Sequence, residues 1–324
     1  MITQGLKTWS GCLCLALAAI PAFAQNFPTK PLRMIVPYGA GGPTDVIARV
    51  AAPKLGDALG QAVLVENRPG AATLIGTRAA LQAPADGYTL LFTANTMALN
   101  SLAYRNPGYK MSDFVPIAPI ATTSFILSVK SSLPIKTLAD FVAYARANPK
   151  KLNNVSLGSS SVTHLAVERF RATAGYEVTE VEYGGGSSAA AQALMAGVVD
   201  VFLDGTISAM NTGKSPQVRM LATTRDQRMP SAPDLPTFKE LGYPNMVILS
   251  WVGVFASVKT PEPIVQKLST ELAKVASDGE VRNRLVNLGL DPWTGRAQDF
   301  PAFVKEDLAL WEKDIRRAGI QLDE

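Results

Sequence analysis

The feature that most constrains this chain is a repeated unit: a short apolar run, a glycine- or serine-rich loop, then an amphipathic helical stretch. The first copy is the clearest. Leu32 to Val36 (LRMIV) is apolar, Gly39, Gly41 and Gly42 punctuate the loop, and Val46, Ile47, Val50, Ala51, Leu55 and Leu59 recur at helical spacing. A strand feeding a helix in this way packs as α/β structure, because the apolar helix face must return across a sheet. Gly60 stops the helix. Strands are expected at Val63–Val65 and Tyr88–Phe92, the second entered through Asp86-Gly87, with a helix from about Thr73 to Leu81 between them.

The unit recurs in the middle of the chain. Strands are predicted at Phe125–Val129, Asn154–Leu157, Val178–Val181, Val199–Leu203 and Arg219–Thr223, with helices at Leu138–Ala147, Val162–Ala174 and Ser188–Ala196. The C-terminal part reads as three helices, Pro261–Ala276, Gly279–Leu288 and Pro301–Ala318, the first opened by Thr260-Pro261. Helices without strands of their own must cover an earlier sheet. The expected organisation is therefore a discontinuous first lobe, residues 25-122 and 225-324, enclosing a second lobe at 123-224. A length of 324 residues suits about two such domains.

Residues 1-24 read as a signal peptide. Lys7 gives a charged start, Cys12–Pro21 an apolar stretch, and Ala22-Phe23-Ala24 a small-residue cleavage site after Ala24. The apolar run is shorter than the roughly 18 residues a membrane span requires. A periplasmic location is expected. Cleavage would remove both cysteines, Cys12 and Cys14, leaving His164 as the single histidine. That composition excludes His/Cys zinc clusters and thiol chemistry, and no carboxylate-rich metal loop is present. No metal and no cofactor are expected. The net charge of +4, without a basic block, argues against nucleic acid as a partner.

Two loops carry the functional signal. In Tyr38-Gly39-Ala40-Gly41-Gly42-Pro43-Thr44-Asp45, glycines free the backbone amides and a helix start adds unpaired N–H groups, which together suit an anion. Thr44 adds a hydroxyl. Asp45 reads either as a first-turn acid or as a partner for a ligand ammonium or hydroxyl. The Gly39-x-Gly41 pattern lacks its third glycine, so it does not read as a dinucleotide site. The second loop, Gly158-Ser159-Ser160-Ser161, precedes a helix through Thr163 and His164 and reads as an anion grip or as an N-cap with spare serines. A hydrolase using a serine with His164 is the alternative from another class, but no nucleophile elbow surrounds these serines. Other strand-end candidates are Glu66 with Arg68, Thr93, Asn95, Tyr183 and Asp204. Tyr38, Tyr183 and Trp251 are candidate cleft walls, and Trp251 fits a core equally well.

These motifs together resemble the tripartite tricarboxylate transporter substrate-binding proteins, also called Bug or TctC-like receptors. The resemblance rests on Ile35 to Gly42 with Asp45 and Ala48-Arg49, on Val65 to Ala71 with Ile75-Gly76, and on Pro84 to Leu91. It continues through Thr163-His164-Leu165-Ala166, Met195-Ala196-Gly197 with Asp200, Pro233 to Thr237 with Gly242-Tyr243-Pro244, and Trp251 with Gly253 and Phe255-Ala256. It implies a type II periplasmic binding protein fold, two α/β lobes with a ligand cleft between them. It also implies a non-enzymatic receptor that captures a small carboxylate, an organic acid or an aromatic or amino acid, for membrane permease subunits. A monomer is expected, and a ligand-sensing partner of a signalling protein is a further alternative. Carried onto this chain, the grips fall on Tyr38–Asp45 and Ser159–His164. The chain departs from the family in having Ala72, Thr73 and Leu74 where Gly-Gly-Asn is frequent, and Gly184 where a lysine is frequent. Both changes point to a ligand with less charge beyond its anchoring carboxylate.

Overall fold

The computed structural model describes residues 27–183 and 186–323. The leader, its cleavage site, Gly184 and Gly185 lie outside the described residues. In chain order, β1 (Leu32–Val36), α1 (Pro43–Leu59), β2 (Val63–Asn67), α2 (Leu74–Gln82), β3 (Thr89–Ala94), α3 (Thr96–Ala103) and β4 (Phe114–Thr123) open a first lobe. The second lobe follows as β5 (Phe125–Lys130), α4 (Leu138–Ala147), β6 (Asn153–Ser156), α5 (Val162–Ala174), β7 (Thr179–Glu182), α6 (Gly186–Met195), β8 (Val201–Gly205), α7 (Thr206–Thr212) and β9 (Val218–Thr223). The chain then returns as β10 (Ser250–Ser257), α8 (Glu262–Ser277), α9 (Gly279–Asn287), β11 (Asp291–Pro292) and α10 (Phe300–Ala318).

Each lobe has one sheet, in the orders β11-β4-β10-β3-β1-β2 and β7-β6-β8-β5-β9. The repeated βα units pair in parallel, β1 with β2 and β3, and β6 with β7 and β8. The strands at the crossings run antiparallel to them: β10 against β3 and β4, and β5 against β8 and β9. The sequence grammar misses β4 and β10. Pro116 and Pro119 disguise β4 as a loop, since proline cannot donate to a ladder. The structure accommodates them at two register shifts, where Gly253 faces Pro119 and Phe255 faces Pro116.

The first core joins Leu32, Met34 and Val36 of β1 and Ile47 and Leu55 of α1 to Leu268 and Leu272 of α8 and Leu285 of α9. The C-terminal helices therefore close the first sheet, as their lack of strands requires. The second core gathers Leu127, Phe141, Leu165, Phe170 and Leu203. Phe238, Met246 and Ile248 also belong to it, and the Phe170 ring meets those of Phe238 and Tyr243 edge-on at 5.0 Å. This corrects the expected boundary near residue 225: the segment after β9 stays on the second lobe, and the chain re-enters the first sheet at Ser250. The Pro-rich stretch hid these apolar anchors. The two crossings run side by side. Thr224 Oγ1 accepts from the Phe125 amide (2.9 Å) and donates to the Ile248 carbonyl (2.7 Å).

The last helix also departs from expectation. Phe300 and Val304 of α10 pack with Trp251 and Phe255 of the first lobe, whereas Trp311 and Ile315 enter the second core. Asp307 accepts the indole N–H of Trp251 (2.7 Å) and of Trp311 (2.8 Å). Arg169 of α5 donates to Asp314 through Nε (2.8 Å), and its guanidinium lies 4.6 Å from the Trp311 ring centre. α10 is thus a brace across both lobes. Among the described residues, no helix is long and apolar enough to cross a membrane.

Candidate functional site

The C-terminal ends of β1, β6 and β8 lead directly into loops and helix starts. A cleft of about 280 Å³ lies where these ends meet between the lobes. The first lobe contributes Tyr38, Thr44, Ile47, Thr96, Thr123, Ser250 and Val252; the second contributes Phe125, Leu157, Ser161, Thr163, Ser187, Asp204 and Ser208. Larger grooves exist, one of about 1020 Å³ beside α8 and one of about 670 Å³ beside β9, but each is lined from a single lobe. The smaller cleft is the one that joins loops of both sheets, the usual place for a ligand in open α/β structures.

The first-lobe wall starts at α1. Pro43 occupies the first turn and Gly42 caps it without a side-chain bond, so the first amides of the helix have no intrahelical partner. Thr44 stands in the cleft wall beside them. Tyr38 adds a phenol whose hydroxyl is buried without a hydrogen-bond partner. Burial raises its pKa, and nearby Thr96, Thr93 and the Ala94 backbone offset this only partly, so it remains a donor. The second-lobe wall starts at α5. Ser161 caps that helix, its hydroxyl accepting from the His164 amide at 3.2 Å and lying 3.2 Å from Thr163 Oγ1. Thr163 follows in the cleft wall.

Asp204, at the end of β8, is 3% exposed. Its Oδ1 accepts from Ser187 Oγ (2.6 Å) and the Gly205 amide (2.8 Å), while Oδ2 is buried without a partner. Burial pushes its carboxyl up to about 6 despite hydrogen bonding to Ser187 and Gly205 and the proximity of Ser208.

Of the expected residues, Tyr38, Thr44, Ser161, Thr163 and Asp204 line this cleft. The others do not. Asp45 is corrected most sharply. Its carboxylate accepts from the Gly41 amide (2.8 Å), Arg49 Nε (3.0 Å) and Asn67 Nδ2 (2.8 Å), and Asn67 also donates to the Tyr38 carbonyl (3.1 Å). Burial raises the Asp45 pKa, but these bonds outweigh it and hold the carboxyl below its usual value. Asp45 therefore ties its own loop to β2 and occupies the Gly41 amide. Gly39, Ala40 and Gly41 are exposed, and Gly42 sits half-buried at the cap, none of them in the cleft wall.

Ser159 is exposed and Ser160 is buried, both off the cleft wall. His164 Nδ1 lies 3.3 Å from Ser156 Oγ and 3.7 Å from Glu180, so the near partners of its ring are not the loop serines, although its backbone amide donates to Ser161. Thr93 is buried in β3 behind the wall. Asn95 also stands behind it and accepts from Ser250 Oγ at 2.7 Å. Tyr183 packs at the edge of the Val155–Phe202 cluster. Arg68 pairs with Glu66 at 2.6 Å, and Trp251 is fully core.

The sequence reading places the outgoing crossing at residue 123 and a strand at Phe125 but does not name Thr123 or Phe125 as cleft residues, because nothing local turns them toward the other lobe. It misses Ser250 because it sets the return crossing near residue 225, and Ser187 and Ser208 because nothing local marks a helical serine as facing a distant aspartate. Among the described residues lining the cleft there is no Lys, Arg or His. None of the described His, Cys, Asp or Glu side chains cluster so as to hold a metal.

Two α/β lobes, two adjacent crossings and a cleft at the strand ends define a two-lobed ligand-binding receptor. Residues 47–320 match the model of the tripartite tricarboxylate transporter family receptor, and this chain belongs to that family. Rpa4515 of R. palustris, solved with adipate, is 34% identical, with 92% of this chain and 100% of that chain covered at a TM-score of 0.82. The periplasmic binding protein BugD is 30% identical over 92% and 100% of the two chains, with a TM-score of 0.79. MatC (Rpa3494) of Rhodopseudomonas palustris, solved with bound malate, is 29% identical over 89% and 100%, with a TM-score of 0.78. The family consists of solute-binding receptors, not enzymes, and the fold is theirs.

Proposed function

We propose that this protein is an exported, periplasmic receptor that captures a small carboxylate between its lobes and delivers it to the membrane permease of a tripartite transporter. The observation that carries this reading is the meeting of two helix starts, each with a hydroxyl, at one cleft: Thr44 of α1 and Thr163 of α5. Helix-start amides carry partial positive charge and hold an anion without a cationic side chain. Tyr38 supplies a further donor. The receptors solved with adipate and malate support the ligand class. The protein acts as a monomer with its signal peptide removed after Ala24, and it performs no chemistry on its ligand.

Native mass spectrometry of gently purified protein, followed by a thermal-shift screen of small acids, tests this reading. A bound ligand at about 100 times its Kd adds about 2.7 kcal/mol of stability. Thr44→Val and Thr163→Val keep the side-chain shape and remove one donor each. Each is expected to weaken binding of the hit acid about tenfold, about 1.4 kcal/mol. If no acid co-purifies and none raises the melting temperature, the reading fails.

A further inference from the structure

We infer that Asp204 is a specificity-determining residue, which selects carboxylates carrying a hydrogen-bond donor, a hydroxyl or an ammonium, on the end remote from the anchoring carboxylate. This rests on the proposed carboxylate function and narrows it. The geometry starts from an asymmetry within one side chain. Oδ1 is fully engaged, by Ser187 from α6 and by the Gly205 amide. Oδ2 is buried and has no hydrogen-bond partner, although the residue is 97% withdrawn from solvent, its exposure being 3%. Ser208 of α7 stands in the same wall close enough to lower the Asp204 pKa, yet makes no hydrogen bond of ordinary geometry to Oδ2.

A buried carboxylate oxygen without a donor is costly, and native proteins satisfy such groups or use them. No lining residue supplies the missing charge partner, since the described walls contain no cation. A ligand that brings its own donor completes the pair. With a folded-state pKa of about 6, Asp204 is mostly ionised at neutral pH and acts as an acceptor. Tyr38 presents the opposite half of the pattern on the first lobe: a buried hydroxyl donor, also unpartnered. One wall thus offers donors for a carboxylate, and the other offers an acceptor for a donor group. A second ionised carboxylate placed at Asp204 would face like charge in a low-dielectric cleft, which discriminates against dicarboxylates.

Isothermal titration of the full receptor with hexanoate, 6-hydroxyhexanoate, 6-aminohexanoate and adipate, and in parallel with benzoate, 4-hydroxybenzoate, 4-(aminomethyl)benzoate and terephthalate, tests this directly. In at least one series the wild type is expected to bind a donor-bearing acid at least tenfold more tightly than both its unsubstituted and its dicarboxylate counterparts. The hydroxyl and ammonium arms separate the two donor chemistries. Asp204→Asn replaces the acceptor by an amide. It is expected to erase that preference and to improve dicarboxylate binding about tenfold. If the dicarboxylate binds the wild type as tightly as the donor-bearing acids do, or if Asp204→Asn keeps the wild-type ranking, the inference is overturned. The wild-type ranking alone decides the matter should the variant not fold. Failure of every acid to bind would instead overturn the carboxylate function itself.

Discussion

Asp204 in the cleft and Asp307 in the seam beneath α10 make an instructive pair. Burial drives both carboxyls up to about 6. Asp307 spends both oxygens on the protein, one on the indole of Trp251 and one on that of Trp311, with Arg169 adding a favourable charge. Asp204 spends one oxygen on the protein and leaves the other free. A shifted pKa therefore does not by itself mark a functional site, because structural networks shift it as well. The distinguishing observation is the hydrogen-bond inventory. The seam uses both oxygens of its carboxylate, and the cleft leaves one buried oxygen without a protein partner.

The largest expected effect belongs to the seam. Asp314→Ala leaves Arg169 buried and charged, and it is expected to cost about 3–5 kcal/mol in urea unfolding. An effect under about 1 kcal/mol would show that α10 does not brace the lobes. Next comes the pair itself. Asp307→Ala strands two indole N–H groups, at about 1–3 kcal/mol for each group left unpaired, whereas Asp204→Asn keeps an acceptor for Ser187 and the Gly205 amide and removes a charge that burial disfavours, so it is expected to cause no loss of stability at neutral pH. Equal losses on chemical denaturation would erase the distinction between the two sites and make Asp204 a packing residue.

The pH dependence sharpens the comparison further. Both folded pKa values lie above the ordinary aspartate value of 3.8, so each native carboxyl binds its proton more tightly than the unfolded one. The contribution of these two carboxyls to ligand-free stability should therefore fall as pH rises from about 4 to about 6 and level off above that. Near pH 4 it is opposed by Asp45, Asp140, Glu240, Asp278 and Asp299, whose lowered pKa values add stability as pH rises, so the fall is read as the difference between wild type and Asp204→Asn. Binding should run the other way. A donor-bearing acid favours ionised Asp204, so its affinity should rise as pH rises through about 6 and then plateau. The groups acting on this carboxyl are Ser187 of α6, Ser208 of α7 and the Gly205 amide, with no charged side chain among them. Titrations at a series of pH values should show the rise in the wild type and not in Asp204→Asn. An identical profile in both would assign the proton to the ligand.

The smallest effect calibrates the others. Thr73 sits at φ 81°, a left-handed conformation that a β-branched residue adopts under strain. Its hydroxyl accepts from Asn100 at 3.2 Å, but Asn100 also donates to the Ala72 carbonyl. Thr73→Gly should raise stability by about 1 kcal/mol by relieving that strain, with ligand affinity unchanged. A change in affinity would extend the ligand site to this loop.

The βα grammar was legible because period and punctuation are local. Leu32–Val36, the α1 face and the Ser161 cap read directly from side-chain type and spacing. β4 was not legible, because Pro116 and Pro119 look like loop residues until a partner strand bulges around them. The return of the chain at Ser250 was hidden for a related reason. Phe238, Met246 and Ile248 show no period, and only the Phe170 side of the second core gives them a place.

At the site the division is similar. The sequence alone determined that glycine- and serine-rich loops would sit at helix starts after strands; of the residues it named there, Tyr38, Thr44, Ser161, Thr163 and Asp204 line the cleft, and others such as Asp45, Ser159 and His164 do not. It also determined the family, through ordered motifs spread along the chain. It did not determine which loop groups are already in use. Asp45 looks like a ligand partner until Asn67 of β2 and its own Gly41 and Arg49 take its oxygens. Asp204 looks no different until Oδ2 is found without a partner. The physical reason is that local geometry follows from neighbours in the chain, whereas the satisfaction of a polar atom depends on groups brought from elsewhere. Only the tertiary structure decides which donors and acceptors remain for a ligand.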